Sequence, residues 1–244
     1  MKWVRDNTRR FQRRPYYAQH EIDDQCEDIV ARFLKSKGGS PSYPMSTDDL
    51  TVMIERDVSN LDLYANLSAE GRDVEGVTEF HPRAGKPSMR LARYLSARPS
   101  RENRLRSTLA HEYGHVIFHT FLWMIDGDGR PPKARRRRFP RCRRSRILLA
   151  PQSDWMEWQA GYAGGALLMP LTPLRDLVAG AFTEWGEAPT VELGSSHYLS
   201  IVDRVSATFA VSGDAAGVRL KKLGYVGGTN RDGLISEAGN VNAT

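Results

Sequence analysis

The pentapeptide His111-Glu112-Tyr113-Gly114-His115 constrains this chain more than any other stretch of its sequence. No proline interrupts residues 101–130, so the pentapeptide is predicted to lie inside a helix. Residues four apart on a helix lie one above the other, so His111 and His115 can bind the same metal ion. Glu112 lies close enough to hold a water molecule at that ion without being a ligand. This pattern, H-E-x-x-H, is typical of zinc hydrolases.

The predicted helix is apolar around most of its circumference. Its apolar residues are Leu105, Leu109, Tyr113, Val116, Ile117 and Phe121. Such a helix is buried, and buried imidazoles need polar or metal partners. Core histidines bonded to backbone carbonyls are the alternative, but they explain one histidine more easily than the set His111, His115 and His119. The pattern therefore favours zinc, and His119 suits a supporting or core position better than direct ligation.

A zinc site needs a third ligand from the protein, and a second predicted helix supplies a candidate. Residues 154–163 have helical composition, with Asp154 in the first turn. Glu157, Gly161 and Gly164 share one face of this helix. Glycines inside a helix cost roughly 1 kcal/mol each, but they let a neighbouring helix approach closely. We expect Glu157 to be the third zinc ligand, with water in the fourth position.

Four segments together resemble the ImmA/IrrE-type metallopeptidases. They are TLAHEYGHVIFH (108–119), EWQAGYA (157–163), LLMP (167–170) and FAVSGDAAGVRLKKLGY (209–225). The resemblance spans roughly residues 19–227. It implies a zincin in which His111, His115 and Glu157 bind zinc and Glu112 is the catalytic base.

The sequence departs from this family at Gly161, where the family usually has Asn or Asp. That polar residue would orient a ligand histidine by a hydrogen bond, which is a common support for metal ligands. Asp154 and Gln159 are candidates to replace it here, and His119 is a third candidate for supporting the ligands. Hydrolysis also requires a group that stabilises the oxyanion. His197, Tyr198 and Tyr113 are the candidates for that role.

The fold class expected is α+β: a zincin-like domain with a small, mainly antiparallel sheet beside the active-site helix, followed by a small helical C-terminal region. Three segments bounded by turn residues are predicted strands: Leu61–Leu67, Val74–His81 and Met89–Leu95. We interpret Met89–Leu95 as the sheet edge that holds an extended substrate, with a buried central strand as the alternative. Apolar spacing predicts further helices over residues 19–37, 47–54, 173–185, 197–209 and 214–223.

The predicted domain organisation has four parts. They are a basic flexible arm (1–18), a zincin-like metallopeptidase domain (19–175), a helical C-terminal region resembling a helix-turn-helix (176–226) and a disordered tail (227–244). In the helix-turn-helix interpretation, Arg219, Lys221 and Lys222 would face a nucleic-acid groove. Packing of this region against the catalytic domain is the favoured alternative.

A basic insertion, residues 126–151, separates the two halves of the predicted metal site. Residues 130–146 contain ten Lys or Arg and no acid, so without them the chain's 35 bases and 29 acids become 25 and 29, and the net charge changes from +6 to −4. Such a charge cluster is expected to form a solvated loop, or to contact nucleic acid or an acidic partner. Cys142, within it, is a minor candidate to approach the metal.

The function expected is a zinc-dependent endopeptidase that cleaves an intracellular regulator or repressor protein, a substrate class implied by the resemblance. The alternatives are a nucleic-acid-binding regulator without proteolytic activity and a toxin-like partner of a DNA-binding antitoxin, each with a structural zinc. Cys26 and Cys142 are the only cysteines, and no apolar run approaches the ~20 residues that span a bilayer. A cytoplasmic protein without a membrane partner is therefore expected.

Overall fold

The computed structural model of the chain describes residues 1–38, 41–81, 85–125, 141–143, 153–186 and 190–227. It has the predicted α+β architecture, in which a small sheet lies beside a long helix and a helical region completes the core. No helix in these ranges is both long and apolar enough to cross a membrane. The predicted tail after residue 227 and most of the basic insertion lie outside the described residues.

The main sheet contains the three predicted strands and one short strand from the insertion. Its strands are β3 (Asn60–Ala65), β4 (Val74–Glu79), β5 (Ser88–Ala92) and β6 (Arg141–Arg143). They lie in the order β3-β5-β4-β6, with β3 and β5 parallel and the other two pairs antiparallel. The sheet is therefore mainly antiparallel, as predicted.

The prediction that Met89–Leu95 forms the substrate-holding edge is wrong. The chain is a strand only to Ala92, and a short helix, α3 (Arg93–Ser96), follows it directly. The strand lies between β3 and β4, so partners on both sides satisfy its backbone groups. Met89 and Leu91 are fully buried, as the alternative interpretation of a buried central strand predicts.

The helices match the predicted apolar periodicity closely. They are α1 (Gln19–Ser36), α2 (Thr47–Glu55), α4 (Glu102–Ile125), α5 (Trp155–Leu168), α6 (Leu171–Trp185), α7 (Ser196–Phe209) and α8 (Gly213–Lys222). Ser46, Ser195 and Ser212 cap α2, α7 and α8 by accepting a backbone N–H. One hydrophobic core contains buried side chains from these seven helices, from α3 and from β5.

Helices α4 and α5 approach each other closely because each has a glycine at the contact. A Cβ atom on Gly114 would lie 2.8 Å from the carbonyl oxygen of Ala160, and one on Gly164 would lie 3.1 Å from the amide nitrogen of His111. Larger residues at these two positions would push the helices apart. This contact explains why residue 157 on α5 reaches the histidines of α4.

Residues 1–18, predicted to be a flexible arm, form an ordered hairpin instead. Strands β1 (Lys2–Arg5) and β2 (Arg13–Tyr16) pair antiparallel. The buried carboxylate of Asp6 accepts hydrogen bonds from the indole of Trp155 and from the backbone of Thr8 and Phe11. The arginines of this segment suggested a solvated tail, but its aromatic residues and Asp6 fix it against α5.

The C-terminal helices pack on the rest of the molecule, and one predicted nucleic-acid contact is wrong. Arg219 is 2% exposed and donates to Asp23 on α1 (Nη2–Oδ1, 2.6 Å) and to the carbonyl of Met169 (3.3 Å). A guanidinium that is the partner of a buried carboxylate cannot face a nucleic-acid groove. Lys221 is exposed, whereas Lys222 is half-buried. The structure therefore has one freely exposed cation among the three predicted on this helix.

Candidate metal centre

Helices α4 and α5 bring two histidines and a glutamate together in the interior of the molecule. His111, His115 and Glu157 each have one potential ligand atom within 4.8 Å of the others. Nε2 of His111 lies 3.2 Å from one carboxylate oxygen of Glu157, and Nε2 of His115 lies 3.5 Å from the other. All three side chains are buried, with Glu157 the most exposed at 5%. The three residues predicted as metal ligands thus form a single cluster.

The chemistry of this cluster fits a bound cation. Burial alone would raise the pKa of Glu157, but the neighbouring His115 and His111 hold it well below its usual value. Nε2 of His115 is buried and makes no hydrogen bond to the described residues. A buried nitrogen without a partner is costly unless something else binds it. Two imidazoles and a carboxylate form a common ligand set of catalytic zinc sites.

A chain of hydrogen bonds fixes the orientation of His115. Gln159 donates its amide N–H to the carbonyl of Pro15 (3.1 Å), so its oxygen faces His119 and accepts from Nε2 (3.0 Å). Burial lowers the pKa of His119 well below its usual value, so this ring is neutral and its Nδ1 is an acceptor. Nδ1 of His115, 3.0 Å away, must then be the donor. With a proton on Nδ1, His115 can offer the lone pair of Nε2, which faces Glu157, to a bound ion.

Glu112 lies next to the cluster and is held by strand β4. The hydroxyl of Thr78 donates to Oε2 of Glu112, whereas Oε1 is buried without a hydrogen-bond partner in the described residues. A Cβ atom on Gly76 would lie 2.5 Å from this Oε1, so only glycine leaves room for the carboxylate. Burial raises the pKa of Glu112, although the two histidines act in the opposite direction. A carboxylate with a raised pKa and one free oxygen suits proton transfer.

The structure places the remaining predicted residues in different surroundings. The hydroxyl of Tyr113 donates to Asp57 (2.6 Å), and the ring of His197 stacks on Trp185 with the centroids 4.6 Å apart. A Cβ atom on Gly217 would lie 2.6 Å from the hydroxyl of Tyr198. These contacts do not bring the three oxyanion candidates to the histidine cluster.

Of the residues expected to support the ligands, His119 and Gln159 belong to the series of hydrogen bonds that orients His115. Asp154, the third, forms an ion pair with Arg10 (Nη1–Oδ1, 2.7 Å) at the start of α5. Gly161 lines a cavity together with His111, and Nδ1 of His111 has no hydrogen-bond partner among the described residues. The departure from the family pattern at residue 161 thus coincides with an unsatisfied atom on a predicted ligand.

Three positions that contribute to this site escaped the sequence analysis. Thr78 holds Glu112, Gly76 leaves space for it, and the carbonyl of Pro15 orients Gln159. A glycine and a threonine two residues apart in a predicted strand were the available signal for the first two. The contact with Pro15 could not be predicted from the sequence, because every residue type has a backbone carbonyl.

Comparison with known protein families supports the class of protein that this geometry defines. A family model described as the IrrE N-terminal-like domain, Peptidase_M78, matches residues 80–221, which is more than half of the chain. The chain therefore belongs to the IrrE N-terminal-like peptidase family. A search of curated proteins gave no match. The matched region contains the predicted ligands and base, and membership supports a peptidase of the metal-dependent type with a protein substrate.

Proposed function

We propose that this protein is a zinc-dependent endopeptidase that cleaves an intracellular regulator or repressor protein, and that it acts in the cytoplasm. The observation that carries the proposal is the buried cluster of His111, His115 and Glu157 beside the carboxylate of Glu112. His111, His115 and Glu157 would hold the ion. Zinc bound there would supply a water of lowered pKa and polarise the carbonyl of the scissile bond.

The protein's own contribution to the reaction centres on Glu112. Its Oε1 has no described partner and accepts the proton of the attacking water, while Thr78 keeps Oε2 in place. The proton is later delivered to the departing amine. The raised pKa of Glu112 favours the first of these transfers, because a more basic carboxylate takes the proton of the water more readily. His119 and Gln159 keep His115 in the tautomer that a metal ligand needs.

The substrate approaches along the side of the sheet that carries β4. Residues 76 and 78 of this strand contact Glu112 directly, so a peptide aligned with β4 would pass the base. Strand β6 pairs with β4 at this edge, with Cys142 opposite Gly76. An extended substrate therefore adds beyond β6 or replaces it. Addition of a substrate strand to a sheet edge is a common way of holding peptides.

A cleavage assay with a matched variant tests the proposal. The purified protein is incubated with candidate transcriptional regulators, with and without a metal chelator, and fragments are identified by mass. We expect cleavage that stops with chelator and in Glu112→Gln, which keeps the shape of the side chain but cannot accept the proton. Equal cleavage by Glu112→Gln would contradict the role of the base. Binding to duplex DNA that weakens steeply with salt and is unchanged in Glu112→Gln would instead support the nucleic-acid-binding alternative.

A further inference from the structure

A small cavity lies between α4, α5 and α8, and His111 and Arg219 are among the residues that line it. Its volume is about 30 Å³. Since a water molecule needs ~10–15 Å³ of such space, the cavity can take roughly two waters or one small anion. Half-exposed residues at its rim, Gly161 and Lys222 among them, open it to solvent. Its polar lining residues are Ser107, His111, Tyr162, Arg219 and Lys222.

Two buried side chains that line this cavity have polar nitrogens without hydrogen-bond partners. Nε and Nη1 of Arg219 and Nδ1 of His111 have no hydrogen-bond partner among the described residues, and both residues are at least 98% buried. Arg219 uses only Nη2 for its bonds to Asp23 and Met169. Nε and Nη1 of a guanidinium carry three of its five N–H groups. Leaving buried donors unsatisfied costs free energy, so an acceptor inside the cavity would be stabilised.

The charge around the cavity is positive. The guanidinium carbon of Arg219 and the ammonium of Lys222 lie 5.3 Å and 5.5 Å from the ring centre of Tyr162. Burial, followed by the charge of Arg219, lowers the pKa of Lys222 to about 8, so it is still mainly protonated at neutral pH. No aspartate or glutamate is among the described residues that line the cavity. Asp23 pairs with Arg219 from outside this lining and balances only one of the two cations.

We propose that this cavity is a binding site for a small carboxylate anion, such as formate, which accepts hydrogen bonds from Arg219 and from Nδ1 of His111. A carboxylate matches the paired N–H groups of a guanidinium and is small enough for the available space. In this arrangement the anion becomes the hydrogen-bond partner that His111 lacks within the protein.

The anion site is coupled to the metal site through the tautomer of His111. Without a metal, Nε2 of His111 can donate to Glu157 at 3.2 Å, which leaves Nδ1 without a proton. When Nε2 binds an ion, the proton must be on Nδ1, which then donates into the cavity. A carboxylate bonded to the far nitrogen of a metal-bound histidine typically strengthens metal affinity 10–100-fold. This coupling rests on the proposed zinc ligation, whereas anion binding by Arg219 and Lys222 does not.

Zinc affinity measured by competition with a chelating dye tests the coupling. The measurement is made in sodium formate and in sodium chloride of the same ionic strength. We expect zinc to bind on the order of tenfold more tightly in formate. Because coupling is reciprocal, formate should bind more tightly to the zinc-loaded protein by the same factor, as followed by thermal unfolding. Equal zinc affinity in the two salts would overturn the proposed His111 contact.

Variants at the cavity separate this site from general salt effects. Gly161→Leu fills the cavity and should remove the formate effect, and Lys222→Met should weaken formate binding at least several-fold. Lys221→Met removes the exposed cation next to Lys222 and should change neither result. A formate effect that persists in Gly161→Leu would overturn the site.

If zinc binds but formate has no effect, the anion proposal fails and the zinc proposal stands. If zinc does not bind, formate stabilisation of the metal-free protein still tests the cavity.

Discussion

Thr78 donates its hydroxyl to one oxygen of Glu112, while the other oxygen of this carboxylate has no partner in the described part of the chain. Thr78 on the strand thus holds one oxygen of the carboxylate, and the other oxygen stays available to accept a proton. The proposed catalytic role of Glu112 depends on this arrangement. A base that could rotate would spend only part of its time facing the attacking water.

Removal of the Thr78 hydroxyl should therefore slow the reaction without removing the metal. We expect Thr78→Val to lower kcat between about 10-fold and 100-fold, because small misplacements of a catalytic group have effects of this size. Thr78→Ser keeps the hydroxyl and should retain most of the activity. The measurement is kcat together with zinc content. Loss of zinc in Thr78→Val would mean that the residue supports the ligands rather than the base.

His119 should affect metal affinity through His115 rather than by ligation. In His119→Phe, Nδ1 of His115 loses its acceptor, so we expect zinc affinity to fall about 10–100-fold. His197→Phe is the matched control, since this histidine stacks on Trp185 and its described contacts do not include the metal cluster. Competition with a chelating dye measures both variants. The same zinc affinity in His119→Phe and in the wild type would contradict the proposed chain of hydrogen bonds.

The close contact of α4 and α5 predicts opposite effects of alanine at two helical glycines. A Cβ on Gly114 would lie 2.8 Å from a backbone oxygen, so Gly114→Ala should destabilise the fold by roughly 1–3 kcal/mol. Gly180 on α6 has no atom near its Cβ position, so Gly180→Ala should stabilise it by up to ~1 kcal/mol. Urea unfolding measures both free energies. Equal effects would show that helix propensity, not the contact, determines the result.

Asp6 should make the docked hairpin sensitive to acid. Burial alone would raise the pKa of Asp6, but hydrogen bonds from Thr8, Phe11 and Trp155 together lower it. A carboxyl whose pKa is lower in the folded state stabilises it above the unfolded-state pKa, and this stabilisation is lost as the pH falls. Asp6→Asn should therefore be less stable than the wild type at neutral pH. The difference between their unfolding free energies should shrink below about pH 4; a constant difference would contradict this account.

Short-range patterns predicted much of the fold and the metal cluster. The spacing of His111 and His115 depends only on helix geometry, and the glycines near Glu157 indicated a close helix neighbour. Gly164 indeed lies against the backbone of His111. The predicted helices also followed from apolar periodicity, which records burial directly.

Errors arose where long-range contacts decided the structure. The position of β5 in the sheet depends on which strands pair with it, and its own residues do not specify that. The flexible arm predicted for residues 1–18 was wrong because Asp6 finds a partner in Trp155, which lies 149 residues further along the chain. Arg219 likewise looked like an exposed cation, but Asp23 on α1 holds it in the core.

The zinc content of purified Glu157→Ala tests the central claim most directly. The wild type should retain about one zinc per chain after dialysis, as measured by elemental analysis. Glu157→Ala should retain almost none, because the loss of one of three ligands lowers the affinity by at least about an order of magnitude. Glu184→Ala, which removes an exposed carboxylate paired with Arg204, is the control and should match the wild type. One zinc per chain in Glu157→Ala would contradict the proposed metal centre.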